Sequence, residues 1–210
     1  LNNQDYYDRY DRTKAKVYLG EYAAHVPVRH NNLETALSEA LHLINVERNG
    51  DIVEMTSYAP LLAKEGNTQW NPDLIYFNNS EVKPTVGYHV QKLFGNHAGN
   101  EYYSSLIVAS DNREDIRKRI TSSCVTDAET NDLISKMVNL LPVDDSSTID
   151  LSEMNIAQGE EANLIVMNGD LDDKSVTPAE SAITVSEVLD YQLPAYSLSV
   201  IRIKRKELSE

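Results

Sequence analysis

The residue types that could do chemistry gather in residues 16–25, KVYLGEYAAH, where a short β-branched and aromatic run ends on the carboxylate of Glu21. Lys16 to Leu19 read as a buried strand, Gly20 lets the backbone turn tightly or lets a ligand come close, and Glu21 follows at once. A carboxylate there sits at a strand's carboxyl end. Sheets and barrels of the α/β class put their reactive groups at that end, because the strand holds the side chain while the next loop opens onto a cleft. The plainer reading is a surface Glu after an edge strand. A strand-end carboxylate suits glycoside hydrolysis, whose retaining form needs two carboxyl groups about 5 to 5.5 Å apart, one nucleophile and one acid/base. Glu21 fits the nucleophile, and its partner is harder to find. Glu54 lies inside the next apolar run, where a structural ion pair is the better reading, and Glu101 follows Asn100 in a polar linker with no strand to aim it.

Histidines are the other acid/base candidates. His25 and His30 flank the Glu21 loop and could hydrogen-bond a sugar hydroxyl, but their spacing fits no rigid helical metal site and no third ligand suggests itself. His42 and His89 fall within predicted helices, as packing or surface residues. Tyr58 and the lone tryptophan, Trp70, could stack on a sugar face or pack in a core. No phosphate-cradling glycine loop or dinucleotide fingerprint is present, so neither a metal nor an organic cofactor is expected. The single cysteine, Cys124, excludes an intramolecular disulfide and is read as a buried small residue.

These residues need elements to hold them. Tyr6, Tyr7 and Tyr10 stand at helical spacing in residues 2–12. After the Glu21 loop, Asn31 or Asn32 caps a helix in which Leu33, Ala36, Leu37, Ala40, Leu41 and Ile44 form one apolar stripe. Asn49-Gly50 ends it, and residues 52–58 read as a second strand, giving a parallel βαβ unit. Residues 64–72 form a polar loop around Trp70, Leu74 to Phe77 an apolar run, and residues 85–94 a second helix. Beyond residue 100 the pattern changes to short apolar or alternating runs at 105–109, 118–125, 132–140, 147–151, 162–167, 181–189 and 196–203, with a helical turn at 112–117. That spacing predicts an antiparallel β-sandwich.

With 41% hydrophobic and 25% charged residues the 210-residue chain can bury a core, and its formal net charge of −14 argues against a nucleic-acid surface. The basic residues of the closing RIKRKELSE are read as a solvated tail. No run approaches the roughly 18 apolar residues of a membrane helix. The chain begins at Leu1, from which the expectation is that upstream sequence has been removed. The compartment is not readable, with a secreted or periplasmic setting slightly favoured.

KVYLGEYAAH, followed by NNLETALSEALHLINVERNGDIVEMTSYAPLLA and WNPDLIYFNN, resembles the carboxyl-terminal part of the catalytic barrel in glycoside hydrolase family 51 α-L-arabinofuranosidases. LPAYSLSVIRIK is similar to the last strand of that family's β-sandwich. The resemblance implies residues 1–100 as the last two βα units of a (β/α)8 TIM barrel, and residues 101–210 as a jelly-roll-like antiparallel β-sandwich. It implies Glu21 as the nucleophile on the seventh barrel strand, Tyr58 at the end of the eighth, and Tyr22, His25, Tyr58 and Trp70 as substrate-binding residues. An arabinose-containing glycan is the implied substrate. The family's acid/base, a Glu after Asn at the end of the fourth barrel strand, has no counterpart, so the chain is expected to be a fragment inactive by itself. Its apolar barrel surface would be covered by the missing barrel portion or by a second copy of the chain. Two readings stand beside this one: a non-catalytic carbohydrate-binding or bracing module, and a related retaining glycosidase such as a β-xylosidase or endoglucanase.

Overall fold

A computed structural model describes residues 5–27, 31–111 and 113–205, which divide into two compact units. The first runs to Phe94 and regains residues 169–177; the second holds the rest. The return of 169–177 to the first unit is not visible in the sequence pattern.

In the first unit a 3-10 turn at Tyr7–Arg9 precedes β1 (Val17–Tyr22), α1 (Leu33–Arg48) and β2 (Val53–Tyr58). β1 and β2 pair in parallel, as the βαβ reading requires. Among the described residues these two strands form a sheet by themselves, so no closed barrel is present. The predicted stripe of α1 is buried, and so are Leu43 and the polar Thr35, Glu39 and Asn45. The helix therefore packs on more than one face. Its first-turn donors are all used. Asn32 caps, its Oδ1 accepting from Thr35 N at 3.1 Å and its carbonyl from Ala36 N at 3.1 Å. Leu33 N and Glu34 N reach the carbonyls of Asp173 and Leu171 at 2.9 and 3.0 Å, which is what the 169–177 segment contributes. At the other end Arg12 reaches Asn49 Oδ1 at 2.6 Å and Asp51 at 2.9 Å, tying the amino-terminal turn to the end of α1. Then come β3 (Leu62–Lys64), β4 (Ile75–Phe77) and β5 (Val82–Pro84), a small mixed sheet, and α2 (Val86–Asn96).

The second unit is a sandwich. Its elements are β6 (Glu101–Tyr103), a helical turn α3 (Glu114–Arg117), β7 (Ile120–Thr126), β8 (Leu133–Asn139), β9 (Asp145–Asp150), β10 (Glu160–Asn168), β11 (Ala179–Val185), β12 (Val188–Leu193) and β13 (Ser197–Ile203). Six strands order as β11-β10-β13-β8-β7-β6, all antiparallel, and β12 pairs with β9 as a second layer. Leu133, Met137, Leu164, Ile201 and Ile203 of the large sheet share one core with Leu193 of the small one and with Leu151 just beyond β9. Two expectations change here. The apolar run at 105–109 is not a strand: β6 forms upstream instead, its pairing with β7 ends at Tyr103↔Cys124, and Leu106 and Val108 stand exposed. Residues 181–189 are not one strand but the end of β11 and the start of β12. Cys124 is half-buried on β7.

Candidate active site

β1 carries Glu21 to the carboxyl end of the parallel pair, and the register shows how. Val17 lies opposite Val53 and Tyr18 opposite Met55, one step on β1 against two on β2. Leu19 lies opposite Thr56 and Tyr22 opposite Tyr58, three steps on β1 against two on β2. Two compensating irregularities result, the second of which adds a residue at Gly20–Glu21. Uninterrupted alternation would put Glu21 on the side of Val17 and Leu19. With the extra residue Glu21 is exposed, together with Tyr18 and Gly20, while Tyr22 turns back toward the interior. A bulge that re-aims one side chain at a strand end is a device associated with active sites. Gly20 does not owe its place to a tight turn, since its φ is ordinary. An added Cβ there would meet only the Tyr18 ring, at 3.7 Å, an ordinary contact.

Behind Glu21 the strand ends converge on a residue that the sequence pattern does not single out. Glu39, on α1, is 1% exposed. Its Oε1 accepts from Tyr58 Oη at 3.0 Å and from the Ala24 backbone N–H at 3.3 Å, and its Oε2 accepts from Gln91 Nε2 at 3.2 Å. Gln91, on α2, in turn accepts from the Tyr22 hydroxyl. Gly87 lets α2 come this close, because a Cβ there would lie 3.1 Å from Glu39 Oε2. The Tyr22 and Tyr58 rings meet edge to face, centroids 5.6 Å apart, and Tyr22 also lies 5.3 Å from the His42 ring. The carbonyl of Tyr22 accepts from Ala59 N at 3.2 Å, joining the two strand ends through the backbone as well.

Burial governs the electrostatics of this cluster. It lifts the Glu39 carboxyl to about 7, three hydrogen bonds to the carboxylate offsetting only part of the desolvation. Burial, and then the Glu39 charge, push Tyr22 up to about 12 and Tyr58 higher still. Both phenols are therefore neutral donors, and His42, pushed down by burial, stays uncharged near neutrality.

The sequence-predicted site residues meet only in part. Glu21, Tyr22 and Tyr58 come together at the end of the parallel pair. The hydroxyls of Tyr22 and Tyr58 are committed to Gln91 and Glu39. His25 is exposed beyond β1, and His30 lies outside the described residues. Trp70 is 66% exposed in the loop between β3 and β4, its backbone N–H donating to Thr68 Oγ1 at 3.2 Å. Glu54 makes the expected ion pair, 3.7 Å from Lys16, and Glu101 opens β6 in the other unit.

The chain has clear relatives among known proteins. Residues 10–197 match the family model of the α-L-arabinofuranosidase C-terminal domain. An extracellular exo-α-L-arabinofuranosidase of Streptomyces chartreusis is 48% identical over 105 residues, 50% of this chain and 12% of that protein. α-L-Arabinofuranosidase A of Aspergillus kawachii is 30% identical over 214 residues, 94% of this chain and 31% of that protein. The solved structure of an arabinose-bound glycoside hydrolase family 51 α-L-arabinofuranosidase superposes with a TM-score of 0.86 at 26% identity, covering 97% of this chain and 35% of that one. The chain thus spans about a third or less of each of these three proteins. With nearly its whole length matched to one family model, the chain belongs to the α-L-arabinofuranosidase C-terminal domain family.

Proposed function

We propose that this chain is the part of a retaining, exo-acting α-L-arabinofuranosidase that supplies the nucleophile, Glu21. The observation that carries the reading is the bulged end of β1, which leaves Glu21 exposed beside a buried, hydrogen-bonded cluster in a chain of this family. In the first step a Glu21 oxygen attacks the anomeric carbon of a terminal L-arabinofuranosyl unit. The bond from that carbon to the glycosidic oxygen breaks, and the departing oxygen takes a proton from a carboxylic acid. In the second step water attacks the same carbon, the acid's conjugate base takes its proton, and Glu21 leaves as a carboxylate. Two inversions give net retention.

The acid/base belongs to polypeptide outside these residues. Glu39 is sequestered behind the strand ends, Glu54 is paired with Lys16, and Glu101 opens a strand of the sandwich unit. β1 and β2 are read as the last two strands of a (β/α)8 barrel. Parallel strands are ordinarily covered on both faces, whereas Tyr18 and Met55 are 60% and 61% exposed here, as they would be with the neighbouring strands absent. His25 and Trp70, both exposed, are read as contacts for sugar hydroxyls and a sugar face, and Tyr22 and Tyr58, whose hydroxyls are committed to Gln91 and Glu39, as ring surface.

The test is hydrolysis of an aryl α-L-arabinofuranoside by the full-length polypeptide and its Glu21→Gln variant. A loss of activity of at least about 10³-fold with the fold intact is expected. Activity surviving the substitution removes Glu21 from the mechanism, and cleavage of an aryl β-xyloside in place of the arabinofuranoside changes the sugar.

A further inference from the structure

We infer that Glu39 is a positioning residue for catalysis: through Ala24 and the Tyr22–Gln91 pair it fixes the segment that carries Glu21, and through Tyr58 it locks that segment to the end of β2. The inference rests on the glycosidase reading of Glu21 and extends it to a residue that touches no substrate.

The geometry is that of a tether with three attachment points, one of which is extended by a further hydrogen bond. One carboxylate on α1 receives the main chain just beyond β1, the last side chain of β2 and a side chain of α2. The α2 residue passes the connection back to Tyr22, the neighbour of Glu21. A bulged strand end is the least constrained part of a parallel pair, because its extra residue makes no ladder bond. Something outside the ladder has to hold it. Burying a carboxylate at 1% exposure is costly, and an apolar residue would fill the space more cheaply unless the hydrogen bonds matter. The approach of Gly87, where a side chain would crowd Glu39 Oε2, shows α2 fitted to the carboxylate rather than merely near it.

Position at the nucleophile is worth a great deal, since a misplacement of about 1 Å can lower a rate about 100-fold. Glu39→Ala removes every tether at once. Glu39→Gln keeps most of them: the amide oxygen accepts from Tyr58 and Ala24, and the amide NH2 faces Gln91, whose own amide flips so that the Tyr22 hydroxyl becomes the acceptor.

The experiment compares the full-length protein with Glu39→Ala, Glu39→Gln and Glu21→Gln on an aryl α-L-arabinofuranoside. Amide hydrogen exchange across residues 21–25 and 57–60 is read on the same samples. In Glu39→Ala the turnover rate should drop by roughly 10-fold to 100-fold while KM changes less than about threefold. Exchange at both strand ends should be faster in that variant, and Glu39→Gln should recover turnover and protection to within a few fold of the unsubstituted protein. If Glu39→Ala does not fold, Glu39→Leu takes its place, removing the hydrogen bonds while filling the volume. Unchanged exchange at residues 21–25, unchanged turnover in the Ala or Leu variant, or failure of Gln to restore what that variant loses would each overturn the positioning role. If Glu21→Gln is inactive while turnover is indifferent to Glu39, this inference alone fails. If Glu21→Gln keeps its activity, the nucleophile reading fails and takes the catalytic role of Glu39 with it, whatever the exchange shows.

Discussion

Glu21 and Glu39 are both carboxylates within one βαβ unit, and their surroundings give them opposite characters. Glu21 ends a bulged strand in contact with solvent, whereas Glu39 is enclosed and three donors converge on it. Glu39 consequently couples stability to pH. Its carboxyl ionises near its ordinary value of 4.5 in the unfolded chain and only at about 7 in the folded protein. Between these values the unfolded state has released a proton that the folded state still holds, so this group's contribution falls as pH rises from about 4.5 to 7 and is level on either side. The span corresponds to roughly 3 kcal/mol. Glu39→Gln should abolish that dependence: its stability relative to the unsubstituted protein, followed by thermal melting, should improve steadily across the window. A difference between the two proteins that stays constant from pH 4.5 to 7 would show that Glu39 does not titrate in this way.

At the scale of elements, α1 shows what a sequence discloses and what it withholds. Its apolar stripe and a cap at Asn31 or Asn32 follow from spacing and from the capping chemistry of Asn, and the stripe is present with the cap at Asn32. Asn32→Ala should cost about 1 kcal/mol, read as a lowered Tm, because Thr35 N would lose its acceptor; an unchanged Tm would mean that water replaces the cap without loss. Glu39 was not legible because it lies outside that stripe. A period of 3.6 reveals the one apolar face, not a second face packed through polar groups, and only the fold brings Ala24, Tyr58 and Gln91 around it. The exposed run at Leu106–Val108 shows the converse error. Strand propensity alone does not decide the pairing: β6 takes Glu101–Tyr103, and its ladder with β7 ends at Tyr103↔Cys124 although β7 begins at Ile120. Glu21 itself was legible from type and strand-end position. The bulge that aims it was not, since a register is a relation between two strands and a single run of residues carries no trace of it.

For the whole molecule, the sandwich closes its own core, whereas the parallel pair does not complete a sheet. A two-stranded sheet is marginal alone, and all-parallel strands are found with neighbours on their edges and layers on their faces. The proposed function reads β1 and β2 as strands of a larger barrel, and the chain covers 31% of α-L-arabinofuranosidase A of A. kawachii. On the proposed function, catalysis belongs to the assembled enzyme rather than to these residues alone. The measurement that bears most directly on the central claim is covalent trapping in that full-length protein. A 2-fluorinated α-L-arabinofuranosyl donor with an activated leaving group should form a glycosyl-enzyme ester that turns over slowly, and peptide mass spectrometry should place the added sugar on Glu21. A label on any other carboxylate, or steady turnover with no ester on the segment from Val17 to His25, would contradict the assignment of Glu21 as nucleophile.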